Sequence, residues 1–393
     1  MKIRSITANT DPSAHDTDPV VSLLDDARGA YPFEVQTVRA SVPAVNGRYD
    51  EKGEAIDAAC GLEEWASSSN VEYVGGFGLG KYPRPEELRF LRWLPEIFDS
   101  TERIFSNCQI AWKKSLSLSA VRECSRLVKV LSMVDDGFMN LRFAGLYNCH
   151  PNNPFFPASY FLADVPNFSI SLEGADIASS AFEGADSLSD ARNRFLQLMR
   201  DRYCDLLSVS LELEEAHGVM FYGIDFTLAP TPDEAGSIAA ALESLGLDAF
   251  GRSGTLFLSS FLSDCTKSLG GRIGFNGLMY PVLEDGVISE RASEGELTLD
   301  SLLSYSSVCG TGLDCVPLPG DISEGTLSSI MMDVAGLSCR LEKPLTTRLF
   351  PVLGKKAGEM TEFDFPYFSN CRVMRVRESS GIGWKDDEFV FNV

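Results

Sequence analysis

The chain has 393 residues, 44% of them hydrophobic and 23% charged, which is enough to form one large hydrophobic core or several ordinary ones. Its 34 Lys and Arg residues against 56 Asp and Glu residues give a formal net charge of -22, which disfavours binding to nucleic acid or to an anionic membrane. No segment offers the roughly 20 apolar residues of a membrane helix, and residues 1–16 contain no apolar export signal. We therefore expect a cytoplasmic protein that contacts neither nucleic acid nor a membrane.

The hydrophobic pattern predicts strands that alternate with amphipathic helices. In chain order, we expect a strand at 2–8, a helix at 20–30, a strand at 33–42, a helix at 54–67, a strand at 71–74 and a helix from Pro85. The further predicted strands are 102–110, 139–147, 168–172 and 219–226, and the further helices are 119–133, 188–216, 233–245 and 324–337. These roughly eight to ten strands favour an α/β sheet or barrel covered by helices.

No linker divides the chain, so we expect one domain over 1–393. Residues 152–187 are the least regular stretch, because NPFFPASY and a series of small residues interrupt the helical period. The sequence predicts a long surface excursion there.

The cysteines and histidines limit the chemistry that is available. Ten cysteines are scattered without a CxxC pair, which favours buried, reduced thiols over disulfides. The three histidines have no metal-binding spacing, so any metal would need carboxylates or thiols as ligands.

Asp225 is the one acid inside the otherwise apolar strand of YGIDFTLAPTP. A buried carboxylate needs a partner. It could act as a general base or metal ligand, or it could bind backbone N–H groups near the helix that follows.

The segment SVCGTGLDCVPLPGD, residues 307–321, places Cys309 and Asp314 in a turn with Gly310 and Gly312. Small neighbours let a substrate approach a thiol closely, as a catalytic cysteine requires. The alternative is an ordinary tight turn with a buried thiol, since no histidine lies nearby in the sequence to act as the base.

Residues 340–377 carry a local net charge of +4 in an acidic chain. Within this stretch the glycine-flanked GKKAG holds Lys355 and Lys356, which could bind a carboxylate or phosphate together with Arg348. It lacks the pattern of a nucleotide P-loop. The alternative is that these cations offset acidic patches on the surface.

Four motifs together resemble the domain-of-unknown-function 711 family: KIRSIT, YGIDFTLAP, VCGTGLD with PLPGD, and KPLTTRLFPVLGKKAGEMTEFDFPYF. The resemblance extends from the first strand to about Arg375. It implies a ten-stranded α/β barrel like that of the pyruvate formate-lyase type of glycyl radical enzymes, in which a loop inside the barrel presents a cysteine. The turn with Cys309 resembles that loop, whereas Cys315 departs from the family pattern and is not assigned a function. The radical glycine motif is missing, because Arg375 stands where its glycine would fall.

The leading hypothesis is an enzyme that acts on a small anionic metabolite inside a barrel. Cys309 would be the nucleophile or acid/base, Asp314 or Asp225 would orient it, and Lys355 and Lys356 would hold the anion. No dedicated metal site is assigned, and a divalent metal between Asp225 and Asp314 is a variant of this hypothesis. The rival hypothesis is a binding or regulatory protein that has no catalytic activity. The sequence leaves open whether the chain forms a homo-oligomer.

Overall fold

The computed structural model describes residues 1–270, 273–381, 383 and 385–392. The first half of the chain alternates strands and helices: β1 (Lys2–Asn9), α1 (Asp18–Ala30), β2 (Val38–Ser41), α2 (Lys52–Ser68), β3 (Tyr73–Gly75), α3 (Leu94–Asp99), β4 (Ser106–Trp112), β5 (Ser115–Ser117), α4 (Leu118–Leu131) and β6 (Phe143–Tyr147). Short 3-10 helices lie at Glu87–Arg92 and Asp135–Arg142.

The second half is richer in helices. It contains β7 (Asn167–Glu173), α5 (Ala175–Phe182), α6 (Leu188–His217), β8 (Met220–Ala229), α7 (Ile238–Glu243), α8 (Thr255–Lys267), α9 (Gly286–Glu294), α10 (Leu299–Ser306), β9 (Gly312–Pro319), α11 (Glu324–Leu341), β10 (Leu345–Val352) and β11 (Glu388–Val390), with a 3-10 turn at Glu234–Gly236. The helices α6 and α11 have side-chain caps: Ser187 accepts from Asp190 N at the start of α6, and Ser323 accepts from Thr326 N at the start of α11.

The strands form two mixed sheets. The first has the order β3-β2-β1-β7-β8 and the second the order β11-β5-β4-β6-β10-β9. In the first sheet the parallel pairs meet at one antiparallel pair, β1 with β7. In the second sheet β6 pairs antiparallel with β10, and β5 pairs antiparallel with both β4 and β11. The ladders therefore confirm a mixed α/β fold and do not by themselves form the expected ten-stranded barrel.

Isolated bridges link the two sheets at two places. Val74 at β3 pairs in parallel with Ile104, and Leu79 pairs with Cys108 of β4. At the other edge Leu278 pairs with Leu228 of β8, and Pro281 pairs with Asp314 of β9. Segment 278–281 thus lies between the two sheets at that edge.

The segment 148–161 passes between the two sheets and is mostly buried. Asn107 of β4 donates to the carbonyls of Pro157 and Ser159 at 2.7 and 2.8 Å. Ser5 of β1 donates to Pro154 O at 3.2 Å. These bonds provide donors for backbone carbonyl groups of a segment that is buried from water but forms neither a strand nor a helix.

The predicted surface excursion at 152–187 is therefore wrong. Its first ten residues lie in the interior, and β7 and α5 occupy most of the rest. The prolines that broke the sequence pattern lie where side-chain donors from both sheets, rather than a regular ladder, satisfy the carbonyls. Among the helices of the described residues, none combines the length and the apolar character that a membrane span requires.

Candidate functional site

A cavity opens beside the N-terminal ends of β1, β2 and β3. Its volume is about 660 Å³ when the open mouth is included. Three arginines, one glutamate and six aromatic side chains give it a cationic and aromatic character. We call it the Arg39 pocket; its lining comprises Arg4, Gln36, Thr37, Arg39, Tyr73, Phe105, Leu141, Phe155, Phe156, Met279, Glu284, Arg348, Phe365 and Tyr367.

A chain of buried ion pairs forms part of this lining. The guanidinium of Arg348 donates to Asp314 Oδ1 at 2.6 Å and to Glu284 Oε1 at 2.7 Å. Arg4 donates to Glu284 Oε2 at 2.8 Å and to Glu173 Oε1 at 3.2 Å. Two cations are thereby shared among three carboxylates, which we call the buried charge network.

Glu284 lies at the centre of this network. Burial alone would raise the pKa of its carboxyl, but the guanidinium groups of Arg348 and Arg4 outweigh burial and lower that pKa to about 2. Glu284 is therefore a carboxylate at neutral pH and a weak base. Its role in the pocket is to hold the two arginines in place.

A β-bulge in β9 shapes the same region. Thr347 of β10 pairs with Leu313 and Leu349 pairs with Val316, so Asp314 and Cys315 both stand opposite Arg348. Cys315 has a φ of 45°, which is strained for a residue with a side chain. Its Sγ donates to Glu284 Oε1 at 3.0 Å. The strain thus places a thiol against the carboxylate of the pocket.

Arg39 differs from the other two arginines. Its side chain is buried, and its Nε donates to Thr37 Oγ1 at 2.8 Å. Its guanidinium carbon lies 5.6 Å from the centre of the Tyr73 ring and 5.3 Å from that of Phe156. Among the residues that the structure describes, no carboxylate lies within 4.0 Å of this guanidinium. Burial, followed by the charge of Arg4, lowers its pKa to about 10, so it stays charged at neutral pH.

Arg142 shows how a buried arginine is satisfied elsewhere in this chain. It too lies over an aromatic ring, with its guanidinium carbon 4.4 Å from the centre of Phe98. Its nitrogens donate to the carbonyls of Ile104, Phe98 and Thr101 at 2.7 to 2.9 Å and to Thr101 Oγ1 at 2.8 Å. Arg39 has no such set of acceptors within the described chain, so its terminal N–H groups are available to a ligand.

The structure brings together only some of the residues that the sequence analysis selected. Arg348 lines the pocket, and Asp314 forms an ion pair with Arg348. Asp225 lies elsewhere on β8, where its carboxylate accepts from the backbone of Thr227, Phe275 and Asn276 and from the Thr227 hydroxyl at 2.7 to 2.9 Å. Burial raises the pKa of Asp225, and these bonds partly offset the rise. Its observed contacts fix the turn at 273–276.

Cys309 does not meet the loop that carries Lys355 and Lys356, which we call the basic loop, and this part of the predicted arrangement is wrong. The strands β9 and β10 run parallel, Cys309 precedes the first, and Lys355 and Lys356 follow the second. Because eight residues of strand span roughly 25 Å, the thiol and the lysines lie at opposite ends of the pair. Lys355 pairs with Glu362 at 3.0 Å, and the Lys356 side chain is exposed.

Cys309 also does not lie on the segment between the sheets, where residues 148–161 are found instead. It is 1% exposed, and Lys343 donates to its carbonyl oxygen. The two glycines beside it serve close backbone packing. A side chain at Gly310 would meet Gly277 Cα at 3.1 Å, and one at Gly312, whose φ is +92°, would meet Thr346 O at 2.6 Å.

The described residues offer no group of three or more His, Cys, Asp and Glu side chains arranged to hold a metal ion. Asp225 and Asp314 already have chain partners for their carboxylates. The divalent-metal variant therefore gains no support from these contacts.

Sequence reasoning missed Arg39, Arg4 and Glu284. Arg39 lies in the short strand VRAS, which carries no motif, and Arg4 lies in the motif KIRSIT, to which no site role was assigned. The available signal was a charged residue inside a predicted strand, which is the signal that had selected Asp225.

The fold and pocket define a mixed α/β protein with a buried arginine facing a cavity. The chain belongs to the family described as Uncharacterised ACR (DUF711), whose model matches residues 4–370, and this confirms the resemblance seen in its motifs. A UPF0210 protein of Pyrobaculum arsenaticum is 31% identical over 344 residues, covering 83% of this chain and 75% of the relative. A UPF0210 protein of Acetivibrio thermocellus is 28% identical over 363 residues, covering 88% and 80%.

A solved structure of another protein is weakly similar. It is an anaerobic ribonucleotide reductase from Thermotoga maritima with citrate in the active site, at a TM-score of 0.30 and 12% identity over 87% of this chain and 68% of that one. This similarity carries no argument about fold or function.

The low pKa of Glu284 predicts a specific loss of stability in acid. A carboxyl whose pKa falls from 4.5 to about 2 on folding stabilises the folded state above pH 4.5, and this contribution of roughly 3 kcal/mol disappears as the pH falls toward 2. The Glu284→Gln variant should be less stable than the parent at pH 7, and urea unfolding should show the difference shrinking between pH 5 and 2.5. Glu64→Gln on the exposed face of α2 is the control and should follow the parent. A difference that stays constant over this range would contradict the assignment.

Thiol alkylation at pH 8 should follow exposure. Cys204 is exposed and Cys60 half-buried, whereas Cys309 and Cys315 are buried. Burial also raises the pKa of Cys315 well above 9, which leaves little thiolate. Peptide mass spectrometry after iodoacetamide treatment of the folded protein should find Cys204 modified first and Cys309 and Cys315 at least about tenfold more slowly. Rapid modification of Cys309 would restore it as a candidate nucleophile.

Proposed function

We propose that this protein binds a small anionic metabolite in the Arg39 pocket. The single observation that carries the proposal is a buried guanidinium that faces a cavity without a carboxylate partner among the described residues. A buried charge that lacks an ion-pair partner costs free energy, and an anion that accepts from its N–H groups would offset that cost. The two charged neighbours, Arg4 and Arg348, are already paired and shape the site.

We further infer that the strands close into the ten-stranded barrel that the family resemblance implies. The isolated bridges support the order β3-β2-β1-β7-β8, segment 278–281, β9-β10-β6-β4 and back to β3. In that order two groups of five parallel strands meet at two antiparallel boundaries. The Arg39 pocket would then open at one end of the barrel, with segment 148–161 inside it. Because the radical glycine motif is missing, the barrel would be used for binding or for polar chemistry.

Catalysis is the second candidate function, and the bulge in β9 favours it. Strain retained in a strand commonly marks a functional site. Here it places the Cys315 thiol 3.0 Å from Glu284, beside the pocket. Cys315 would take the role assigned to Cys309 in the enzyme hypothesis, with its S–H as a proton donor and Glu284 orienting it. The low pKa of Glu284 makes this dyad a poor base at neutral pH, so binding remains the first proposal.

The proposal is tested with a panel of small carboxylates and phosphates in a thermal-unfolding assay. At least one should raise the melting temperature of the parent by about 2–5 °C at saturating concentration. Arg39→Gln should abolish that shift, since the guanidinium is its cause, whereas Lys355→Ala with Lys356→Ala should keep it. A shift that survives Arg39→Gln and is lost with the lysines would return the site to the basic loop.

The same samples separate binding from catalysis. Mass spectrometry of the stabilising compound after long incubation should find it unchanged if the protein only binds it. Conversion that disappears in Cys315→Ala, with the thermal shift retained, would establish the second candidate instead.

A further inference from the structure

The walls of the Arg39 pocket are built largely of aromatic rings. Tyr73 and Phe105 meet edge to face with their ring centres 5.2 Å apart, and Phe105 lies 5.9 Å from Phe156. Tyr73 and Phe156 also contact the guanidinium of Arg39. These contacts hold the charged plane of Arg39 among rings.

The mouth of the pocket continues this lining. Phe365 and Tyr367 pack with their ring centres 5.3 Å apart, and Tyr367 is 40% exposed. Phe155 lies on the segment between the sheets and is buried. A ligand bound beside Arg39 would therefore be surrounded largely by aromatic rings, which favours a flat, apolar body.

The charges around the pocket limit the charge of the ligand. The buried charge network carries three carboxylates, Glu173, Glu284 and Asp314, against two arginines. Arg39 therefore balances the network as a whole, while making no direct ion pair within the described chain. One carboxylate bound to Arg39 adds one negative charge to this region. A phosphate dianion would add two negative charges beside three buried carboxylates, so a monoanion is favoured.

We infer that the ligand of the Arg39 pocket is a planar monocarboxylate, an aromatic or conjugated acid whose carboxylate binds the terminal N–H groups of Arg39 and whose ring packs against the aromatic wall. This inference rests on the proposed anion site and specifies its chemical class. The planar guanidinium matches a carboxylate with two parallel hydrogen bonds. The rings supply the remaining contacts and select against flexible or highly hydrated anions.

Benzoate is the probe for this class, and three compounds are compared with it. Cyclohexanecarboxylate keeps the carboxylate and ring size but not the flat ring, phenyl phosphate keeps the ring but carries a larger charge, and acetate keeps only the carboxylate. Saturation-transfer NMR titrations at pH 7.5 should give benzoate an affinity about fivefold or more above that of cyclohexanecarboxylate and of phenyl phosphate, with acetate weakest.

Three variants assign the binding. Arg39→Gln should weaken the affinity for benzoate by at least about tenfold. Arg39→Lys should also weaken it, because a lysine keeps the positive charge but lacks the two parallel N–H groups of the guanidinium. Phe156→Leu should lower the affinity for benzoate to near that for cyclohexanecarboxylate and leave the affinity for acetate unchanged. Arg89→Gln is the matched control, since Arg89 lies 5.7 Å from the Trp93 ring but is exposed and pairs with Asp50. Near-ultraviolet circular dichroism confirms that each variant is folded.

The outcomes separate the two proposals. If cyclohexanecarboxylate, acetate or phenyl phosphate binds as tightly as benzoate and the binding depends on Arg39, the anion site stands and the planar monocarboxylate class is wrong. If no compound in the panel, benzoate included, shows binding that depends on Arg39, both proposals fall. The expected ranking together with loss in both Arg39 variants supports both.

Discussion

Arg348 lies between Asp314 and Glu284, and Glu284 in turn accepts from Arg4, which also pairs with Glu173. Removing Arg4 would leave Glu173 without its ion-pair partner, and removing Arg348 would leave Asp314 without its partner, each at a cost of several kcal/mol. The network also connects the two sheets. Arg4 and Glu173 belong to the first sheet and Asp314 and Arg348 to the second, with Glu284 between them. The position of the Arg39 pocket depends on this connection, because the same arginines form its lining.

The interior between the sheets is polar because segment 148–161 is buried there. A segment without regular secondary structure brings carbonyl groups into the interior, and each needs a donor. Ser5, Thr7 and Asn107 provide donors from strands of both sheets. The strands are consequently rich in small polar residues where an ordinary sheet would be apolar. This composition leaves room for the segment whose Phe155 and Phe156 reach the pocket.

The sequence predicted the elements whose periodicity is strong, and it failed where pairing decides the structure. The helices at 20–30, 188–216 and 324–337 were found nearly at their true bounds, because their apolar stripes repeat at the helical period. The strands β9 and β10 were missed, since GLDCVPLP and LTTRLFPV are buried on both faces and contain prolines. The error about Cys309 and Lys355 follows from the same gap, because only the parallel register places them at opposite ends.

The site was predicted in part for a related reason. Arg348 and Asp314 were selected from local composition, and they do meet, at 2.6 Å. Arg39 and Arg4 lie on strands that are far apart in the sequence. The residues near them in the sequence therefore do not indicate that both line one pocket. Long-range pairing of β1 with β2 and β7 brings them to one cavity. A charged residue inside a short predicted strand is the feature that would have selected them.

The central claim is that Arg39 is the anion-binding group of this family member. A crystal structure grown with benzoate tests it most directly. We predict a carboxylate whose two oxygens lie about 2.8 Å from the Arg39 guanidinium nitrogens, with the ring against the wall of Tyr73, Phe105 and Phe156. Benzoate at Lys355 and Lys356 with the Arg39 pocket left to solvent, or Arg39 turned to pair with a carboxylate of the chain, would contradict the claim.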